Sequence, residues 1–225
     1  MEKIYTGKTK DVYKLDDGNY RLLFKDDVTG ENGVFDPGAN TIGLSIEGIG
    51  RSNLETSVHF FEILQKAGIA THYIAANVDE STMDVLPATV FGKGLEVICR
   101  NRAVGSFLRR YGDYVEDGMP LPAYVEMTLK DDDRGDPLIT QEGLEVMGVM
   151  DKAQYDDIVR MTKQIAKLVG DDLAGKNLEL FDIKFEFGIN GDQVLLIDEI
   201  ASGNMRVYRD GKIVDPEELT TIILS

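Results

Sequence analysis

The sequence predicts an α+β fold in two domains. Apolar and polar residues alternate in several short stretches, as in strands with one buried face, and two longer stretches have the apolar spacing of helices. The order along the chain is strands, helix, strands, helix, strands. A boundary falls near residues 91–94, between two apolar stretches, so the predicted domains are residues 1–91 and 92–225.

The first domain begins with short strands on both sides of the turn in "LDDGNY". Residues 28–51 are rich in glycine and are predicted to form a long loop, which in a compact domain is often functional. Ser52 and Glu55 have the spacing of a capping box, so a helix is predicted to begin at Ser52 and to end at Gly68. The stretch "IATHYIA" is predicted to be a strand.

The second domain contains strands in "LEVICR" and "YVEMTLK", with a short helix in "AVGSFLRRYG" between them. The longest helix is predicted from Asp151 to about Ala174, with Asp151 and Gln154 as its capping box. Two further strands, 178–188 and 193–200, are joined by the tight turn in "INGDQ" and are predicted to pair as a hairpin.

The strand "LELFDIKFEFG" carries charges on one side. With a side-chain period of two, its apolar face consists of Phe181, Ile183, Phe185 and Phe187, and its charged face of Asp182, Lys184 and Glu186. The partner strand is expected to bring Asp198 close to Glu186 or to Asp182. Clustered carboxylates without basic partners repel each other, and a bound Mg²⁺ would relieve that repulsion. Two amphipathic strands with a solvated face are the alternative.

Composition excludes several classes of function. The 225 residues carry 24 basic and 40 acidic side chains, a net charge of −16, which argues against nucleic acid or an anionic membrane as a partner. The single cysteine, Cys99, is expected in a strand core, and its isolation suits a reducing cytoplasm. No apolar stretch approaches the length of a membrane-spanning helix, so a cytoplasmic protein is predicted.

Two motifs could hold phosphate groups. In "YTGKTKDVY", a turn with Gly7 is followed by Lys8 and Lys10, which could lie over nucleotide phosphates, although the motif is not a Walker A sequence and a surface hairpin is the alternative. In "LEVICRNRAVGSFLRR", Arg100 and Arg102 lie on a strand or at its end, and Gly105 and Ser106 lie at the start of a helix, as in an anion-binding site. A basic helix start that balances an acidic protein is the alternative there.

These blocks, together with "LKDDDRGDP", "LFDIKFEFG" and "LLIDEI…NMR", occur in the order and approximate spacing of the SAICAR synthetase family. The resemblance runs from Tyr5 to about Tyr208. It implies a small antiparallel domain similar to a kinase N-lobe and a larger α+β, ATP-grasp-like domain, with ATP between them. It also implies a dimeric ligase of purine biosynthesis that joins the carboxylate of carboxyaminoimidazole ribotide (CAIR) to the amine of L-aspartate through an acyl phosphate.

The resemblance assigns roles to particular side chains. Gly7, Lys8 and Lys10 would contact the phosphates of ATP, while Glu186, Asp198 and Glu96 would hold Mg²⁺. Glu96 would lie near a second metal and the CAIR carboxylate, and Arg100, Ser106 and Arg206 would bind the 5′-phosphate of the ribotide. The catalytic residues would be Lys184 and Asp182 at the reacting centre, with Lys130 and Asp132 on the substrate side.

The sequence departs from the family pattern near the expected substrate. Ile49 replaces a lysine before the first helix, Gly203 replaces an aspartate after the last strand, and residues 27–33 differ from the usual loop. The chain also ends soon after "DPEELTTIILS", where the family usually has a further helix. These differences suggest a divergent member, and leave a paralogue with another amine or carboxylate substrate as an alternative. A kinase-like phosphotransferase and a non-catalytic nucleotide-binding protein are two further alternatives.

Overall fold

The computed structural model describes residues 1–31, 34–35 and 42–225 of the chain. Within these residues the strands are β1 (Glu2–Thr6), β2 (Lys10–Lys14), β3 (Tyr20–Phe24), β4 (Asp27–Glu31), β5 (Val34–Phe35), β6 (Ile42–Ser45), β7 (Tyr73–Asn77), β8 (Thr82–Val85), β9 (Thr89–Val90), β10 (Leu95–Arg102), β11 (Pro120–Leu129), β12 (Leu138–Ile139), β13 (Glu179–Asn190), β14 (Gln193–Ile197), β15 (Met205–Arg209) and β16 (Lys212–Ile213). The helices are α1 (Ile49–Lys66), α2 (Gly105–Tyr111), α3 (Gln141–Val146), α4 (Lys152–Ala174) and α5 (Pro216–Ile223).

Two antiparallel sheets organise the described part of the chain. The N-terminal sheet has the strand order β1-β2-β3-β8-β7. The larger sheet has the order β12-β11-β10-β13-β15-β16, with β14 and β9 also paired to β13, and a small third sheet joins β5, β4 and β6. Separate antiparallel sheets with helices packed on them are the architecture expected of an α+β fold, so the predicted fold class is confirmed.

The two predicted domains contact each other at several points. Strand β9 pairs with β13, so the larger sheet already includes residues before the predicted domain boundary. The side chain of Thr56 in α1 lies 3.2 Å from that of Thr220 in α5, which joins elements from both ends of the chain. The buried apolar side chains of both halves form one continuous cluster. The division into residues 1–91 and 92–225 stays a prediction.

Helix α1 begins earlier than the sequence indicates. The Ser52–Glu55 capping box is wrong, because the helix starts at Ile49 with Gly48 as its N-cap. The carboxylate of Asp26 accepts hydrogen bonds from the backbone N–H groups of Gly48 (3.1 Å) and Gly50 (3.0 Å), and so satisfies donors that a cap residue would satisfy locally. By contrast, the Asp151–Gln154 capping box of α4 is confirmed.

Two further expectations need correction. Residues 27–31, 34–35 and 42–45 form strands, so the predicted loop over residues 28–51 is wrong for these parts, while residues 32–33 and 36–41 lie outside the described residues. In β13, the pairing with β15 is irregular between Leu180 and Asp182, and this β-bulge shifts the alternation of side chains. Leu180 therefore joins the core, whereas Phe181 leaves it and stacks on Tyr208 with ring centroids 3.7 Å apart.

The rest of β13 follows the predicted alternation. Ile183, Phe185 and Phe187 are buried in the core against α4, and Cys99 of the neighbouring strand is buried with them, as expected. The opposite face of the strand is therefore available for the charged side chains. None of the helices in the described ranges combines the length and the apolar character needed to cross a bilayer.

Candidate active site

Two neighbouring cavities lie in the described part of the chain. The larger, of about 820 Å³, is bounded by β2 and β3, by the residues after β11, and by the ends of β13 and β14. The smaller, of about 250 Å³, is bounded by β10, α2, β13 and β15. Glu96, Lys184 and Asn204 line both cavities and therefore mark the place where they meet.

The turn between β1 and β2 faces the larger cavity. The backbone N–H of Gly7 donates to the Lys10 carbonyl at 2.7 Å, and a Cβ atom at Gly7 would approach that same oxygen to 2.7 Å, so the turn needs glycine. Lys8 lies at the mouth of the cavity, where its ammonium contacts Asp132 at 2.7 Å. Lys10 points inward, and its Nζ lies 2.9 Å from Asp198 and 2.7 Å from Glu199.

The hairpin of β13 and β14 decides where Asp198 lies. Glu186 pairs with Ile197, so Asp198 follows directly beside Glu186. Asp182 lies further along β13, where it pairs instead with Arg206 of β15. Of the two positions that the sequence allows for Asp198, the structure selects the one next to Glu186.

The backbone of Asp198 is held in an unusual conformation. Its φ angle is 67°, in the left-handed region that few residues other than glycine adopt. Nε2 of His72 lies 2.9 Å from the Asp198 carbonyl oxygen. Burial lowers the pKa of His72 to about 4, so the ring is neutral and its Nε2–H donates to the carbonyl. His72 thereby supports the conformation that directs the Asp198 carboxylate.

Each carboxylate of the predicted metal site has a lysine partner. Glu186 contacts Lys130 at 2.7 Å and Glu96 contacts Lys184 at 2.6 Å, and Asp198 is held by Lys10 as described. The premise that these carboxylates lack basic partners is therefore wrong. The pairing was hidden because the lysines come from distant parts of the sequence.

The carboxylates and lysines of the larger cavity shift one another's pKa values. Burial, followed by the neighbouring charge of Asp198, raises the pKa of Glu186. Burial opposes the charge of Lys10, but Asp198 and Glu199 outweigh it and raise the pKa of this lysine. The pKa of Lys130 is raised in the same way by Glu186 and Asp198. These lysines therefore stay protonated near neutral pH, and can act as fixed positive charges rather than as bases.

Arginines dominate the smaller cavity, although the predicted Arg102 does not line it and pairs with Glu179 instead. Arg100 is almost fully buried: its Nε and one Nη donate to Glu126 at 2.8 and 2.6 Å, and the other Nη donates to Asp182 at 2.8 Å. It also donates to the Ser106 hydroxyl at 2.8 Å. Arg206 contacts Asp182 at 3.0 Å. Burial raises the pKa of Asp182 despite both arginines.

The first residue of α2, Gly105, lies in close contact with the side chain of Arg206. Gly105 has a φ angle of 56°, and a Cβ atom there would lie 2.8 Å from the guanidinium carbon of Arg206. The left-handed conformation favours glycine at this position, and a side chain there would also displace the Arg206 guanidinium. The guanidinium group thus lies directly beside the Ser106 segment, as the "AVGS" motif indicates.

Several cavity residues were not predicted from the sequence. They are His72, Arg109, Arg110, Glu199 and Asn204. Glu126, which holds Arg100 and Arg110 from behind the smaller cavity, was also not predicted. Glu199 could have been suspected, since it follows Asp198 directly and is buried against Lys10. Glu126 lies in a strand with ordinary alternation, and nothing local to it indicates that two arginines converge on its carboxylate.

The positions that depart from the family pattern have different environments. Ile49 is 2% exposed and forms part of the start of α1, so its side chain packs rather than faces substrate. Gly203 lines the larger cavity in a short 3-10 turn, with open space where a side chain would be. Asn32 and Gly33, in the altered loop, lie outside the described residues.

Fold and site together define a class of enzyme. A lysine-lined cavity that meets an arginine-lined one at a lysine–carboxylate pair suits the transfer of a phosphoryl group between two bound anions. The sequence model of SAICAR synthetase matches residues 3–219. The chain belongs to the SAICAR synthetase family, whose known reaction is the ATP-dependent ligation of CAIR to aspartate in purine biosynthesis.

The relatives are similar over all or most of their length. The phosphoribosylaminoimidazole-succinocarboxamide synthase of Clostridium tetani is 56% identical over 226 residues, which cover 100% of each chain. A solved SAICAR synthetase superposes with a TM-score of 0.84 at 31% identity, covering 98% of each chain. Another, a type-2 SAICAR synthetase in complex with ADP, has a TM-score of 0.84 at 28% identity and covers 96% of this chain and 88% of its own. The prediction of a divergent member is therefore wrong.

Proposed function

We propose that this chain joins the carboxylate of CAIR to the amine of L-aspartate, with conversion of ATP to ADP and phosphate. The observation that carries the proposal is the junction of the two cavities at Glu96 and Lys184. A nucleotide in the larger cavity and a ribotide in the smaller one would meet at this junction. Holding both reactants in place supplies a large part of the rate enhancement in such reactions.

ATP fits the larger cavity by its chemistry. Apolar side chains such as Val12, Leu22 and Leu86 line one part of it and suit a purine base. The Gly7 turn, with Lys8 and Lys10, lines the part where phosphates would lie. The solved relative that contains ADP supports a nucleotide here.

The ribotide 5′-phosphate fits the smaller cavity. Ser106 and Arg206 face this cavity beside the start of α2. Arg100 lies behind them with its N–H groups directed to Glu126, Asp182 and Ser106, so it contributes charge and orients the serine hydroxyl. The hydroxyl accepts from Arg100, which leaves its own proton to donate to a phosphate oxygen.

Mg²⁺ is a further part of the proposal. The donors fit a hard cation, because Glu186 and Asp198 are neighbouring, partly buried carboxylates whose charges oppose each other, and Glu96 lies on the same cavity wall. Among the described residues no three acidic, histidine or cysteine side chains already enclose a metal position. When bound, the ion would neutralise the charge of the nucleotide phosphates, with phosphate oxygens and water completing its ligands.

The reaction needs two bond exchanges. An oxygen of the CAIR carboxylate bonds to the γ-phosphorus as the bond to ADP breaks, giving an acyl phosphate. The aspartate nitrogen then bonds to the acyl carbon, loses a proton, and phosphate leaves. Lys184 lies where the carboxylate would react, and Lys130 and Lys10 balance the charge of the transferred group. Asp182 orients Arg100 and Arg206 by accepting their hydrogen bonds, and Asp132 holds Lys8 at the cavity mouth.

The cellular setting stays a prediction. We propose a cytoplasmic enzyme, because purine biosynthesis supplies a soluble ribotide and the buried thiol of Cys99 forms no disulfide. A homodimer is also predicted, and light scattering of the purified protein would measure its mass.

The direct test is a product assay. Purified protein, ATP, Mg²⁺, CAIR and aspartate should give equal amounts of ADP, free phosphate and the succinocarboxamide, and omission of aspartate should abolish the amide. A panel of other amines in place of aspartate tests the paralogue alternative. A phosphorylated product that persists would instead support the kinase-like alternative, and nucleotide binding without turnover would support a non-catalytic protein.

A further inference from the structure

The smaller cavity contains more positive charge than the predicted residues account for. Of the described residues, five cationic side chains line it: Arg100, Arg109, Arg110, Lys184 and Arg206. Arg100 and Arg206 contact Asp182, Arg110 contacts Glu126 at 2.5 Å, and Lys184 contacts Glu96. Four of the five are thus paired with carboxylates of the chain, Asp182, Glu126 and Glu96.

Arg109 differs from the other four. In the part of the chain that the structure describes, its guanidinium has no hydrogen-bond or ion-pair partner, although the chain carries 40 acidic and only 24 basic residues. The side chain is exposed and lies at the edge of the cavity. In a protein with so large an excess of acid, an arginine without a carboxylate partner at a cavity of arginines is available for an external anion.

The position of Arg109 on α2 is also specific. Ser106 and Arg109 are three residues apart on the same helix, and residues with this spacing lie on one face. Both line the smaller cavity. The hydroxyl proton of Ser106 and the guanidinium of Arg109 can therefore reach one anion from the same side.

We propose that Arg109 binds the 5′-phosphate of the ribotide substrate and helps to select a phosphorylated substrate. This inference rests on the proposed function, since it concerns the same reaction. Arg100 and Arg206 are held in place by ion pairs, and the carboxylates of Asp182 and Glu126 offset much of their positive charge. Arg109 adds a positive charge that has no carboxylate partner among the described residues, and this charge attracts a dianion.

The test uses Arg109→Gln and Arg109→Lys, with Arg160→Gln as the matched control on the exposed face of α4. The KM for CAIR should rise about tenfold in R109Q, the factor expected for one lost charge-assisted hydrogen bond, and less in R109K. The KM values for ATP and aspartate, kcat and the melting temperature should stay near those of the wild type. Inorganic phosphate should inhibit competitively with CAIR, and its inhibition constant should rise in parallel.

Two results would overturn the inference. One is a KM for CAIR within twofold of wild type in R109Q. The other is an equal rise in all three KM values with a lower melting temperature, which would show a structural role. If the wild type forms no amide at all, the proposed function fails instead. Thermal stabilisation by inorganic phosphate, present in the wild type and weaker in R109Q, then still tests the anion site by itself.

Discussion

The pH dependence of stability should reveal the role of His72 beneath the active site. The ring is 4% exposed and burial lowers its pKa to about 4, whereas a histidine in the unfolded chain has a pKa of about 6.5. The imidazole ring of His72 therefore binds a proton more weakly in the folded state than in the unfolded state. The stabilisation is complete above the unfolded pKa and is lost as the pH falls from about 6.5 towards 4.

The size of this effect follows from the shift. At about 1.4 kcal/mol per pKa unit, the loss attributable to His72 is about 2 kcal/mol between pH 7 and pH 5, and about 3 kcal/mol in total near pH 4. The perturbation is His72→Gln, whose amide can still donate to the Asp198 carbonyl but does not titrate. Urea unfolding of both proteins at several pH values would measure the free energy of unfolding.

Each protein gives a curve of the free energy of unfolding against pH. Carboxylates titrate in both proteins, so the difference between the two curves reports the contribution of His72 alone. Between pH 7 and pH 5, the free energy of unfolding of H72Q should fall by about 2 kcal/mol less than that of the wild type. Parallel curves over this range would refute the reasoning, because they would mean that His72 has the same proton affinity in both states.

Three further predictions concern single side chains. Asp182→Asn should lower the free energy of unfolding by about 3 kcal/mol in urea titrations, because two arginines lose their buried partner, whereas the exposed control Asp157→Asn should change it by less than about 0.5 kcal/mol. Lys10→Met should reduce kcat/KM for ATP about a hundredfold in the ADP-release assay, while Lys14→Met, at the exposed end of the same strand, should leave it unchanged. The Cys99 thiol, whose pKa is raised to about 11 by burial, should react with a disulfide reagent at pH 8 only after unfolding; fast reaction of the folded protein would contradict this.

Local signals in the sequence predicted one of the two capping boxes correctly. The capping box at Asp151 is complete within four residues, and the structure forms it as predicted. The start of α1 was missed because its capping carboxylate, Asp26, comes from a loop that the sequence does not place beside the helix. Phe181 was assigned to the core because strict alternation does not anticipate a bulge.

In the candidate site, too, local sequence motifs were predictable and contacts between distant residues were not. The residues of the family motifs were found from the sequence, and the structure brings them to two adjoining cavities. The ion pairs between these residues were not predicted, since pairs such as Lys10–Asp198 and Lys130–Glu186 depend on the packing of distant strands. The charge balance of the site is a property of the tertiary fold, and only the fold shows that Arg109 has no partner among the described residues.

The most direct test of the proposed reaction follows the oxygen atoms of the CAIR carboxylate. CAIR with both carboxylate oxygens labelled as ¹⁸O is incubated with the protein, ATP, Mg²⁺ and aspartate, and the products are examined by mass spectrometry. An acyl phosphate requires that one labelled oxygen remain in the succinocarboxamide and that the other appear in inorganic phosphate. Unlabelled phosphate, or the absence of the succinocarboxamide while ADP accumulates, would contradict the proposed function.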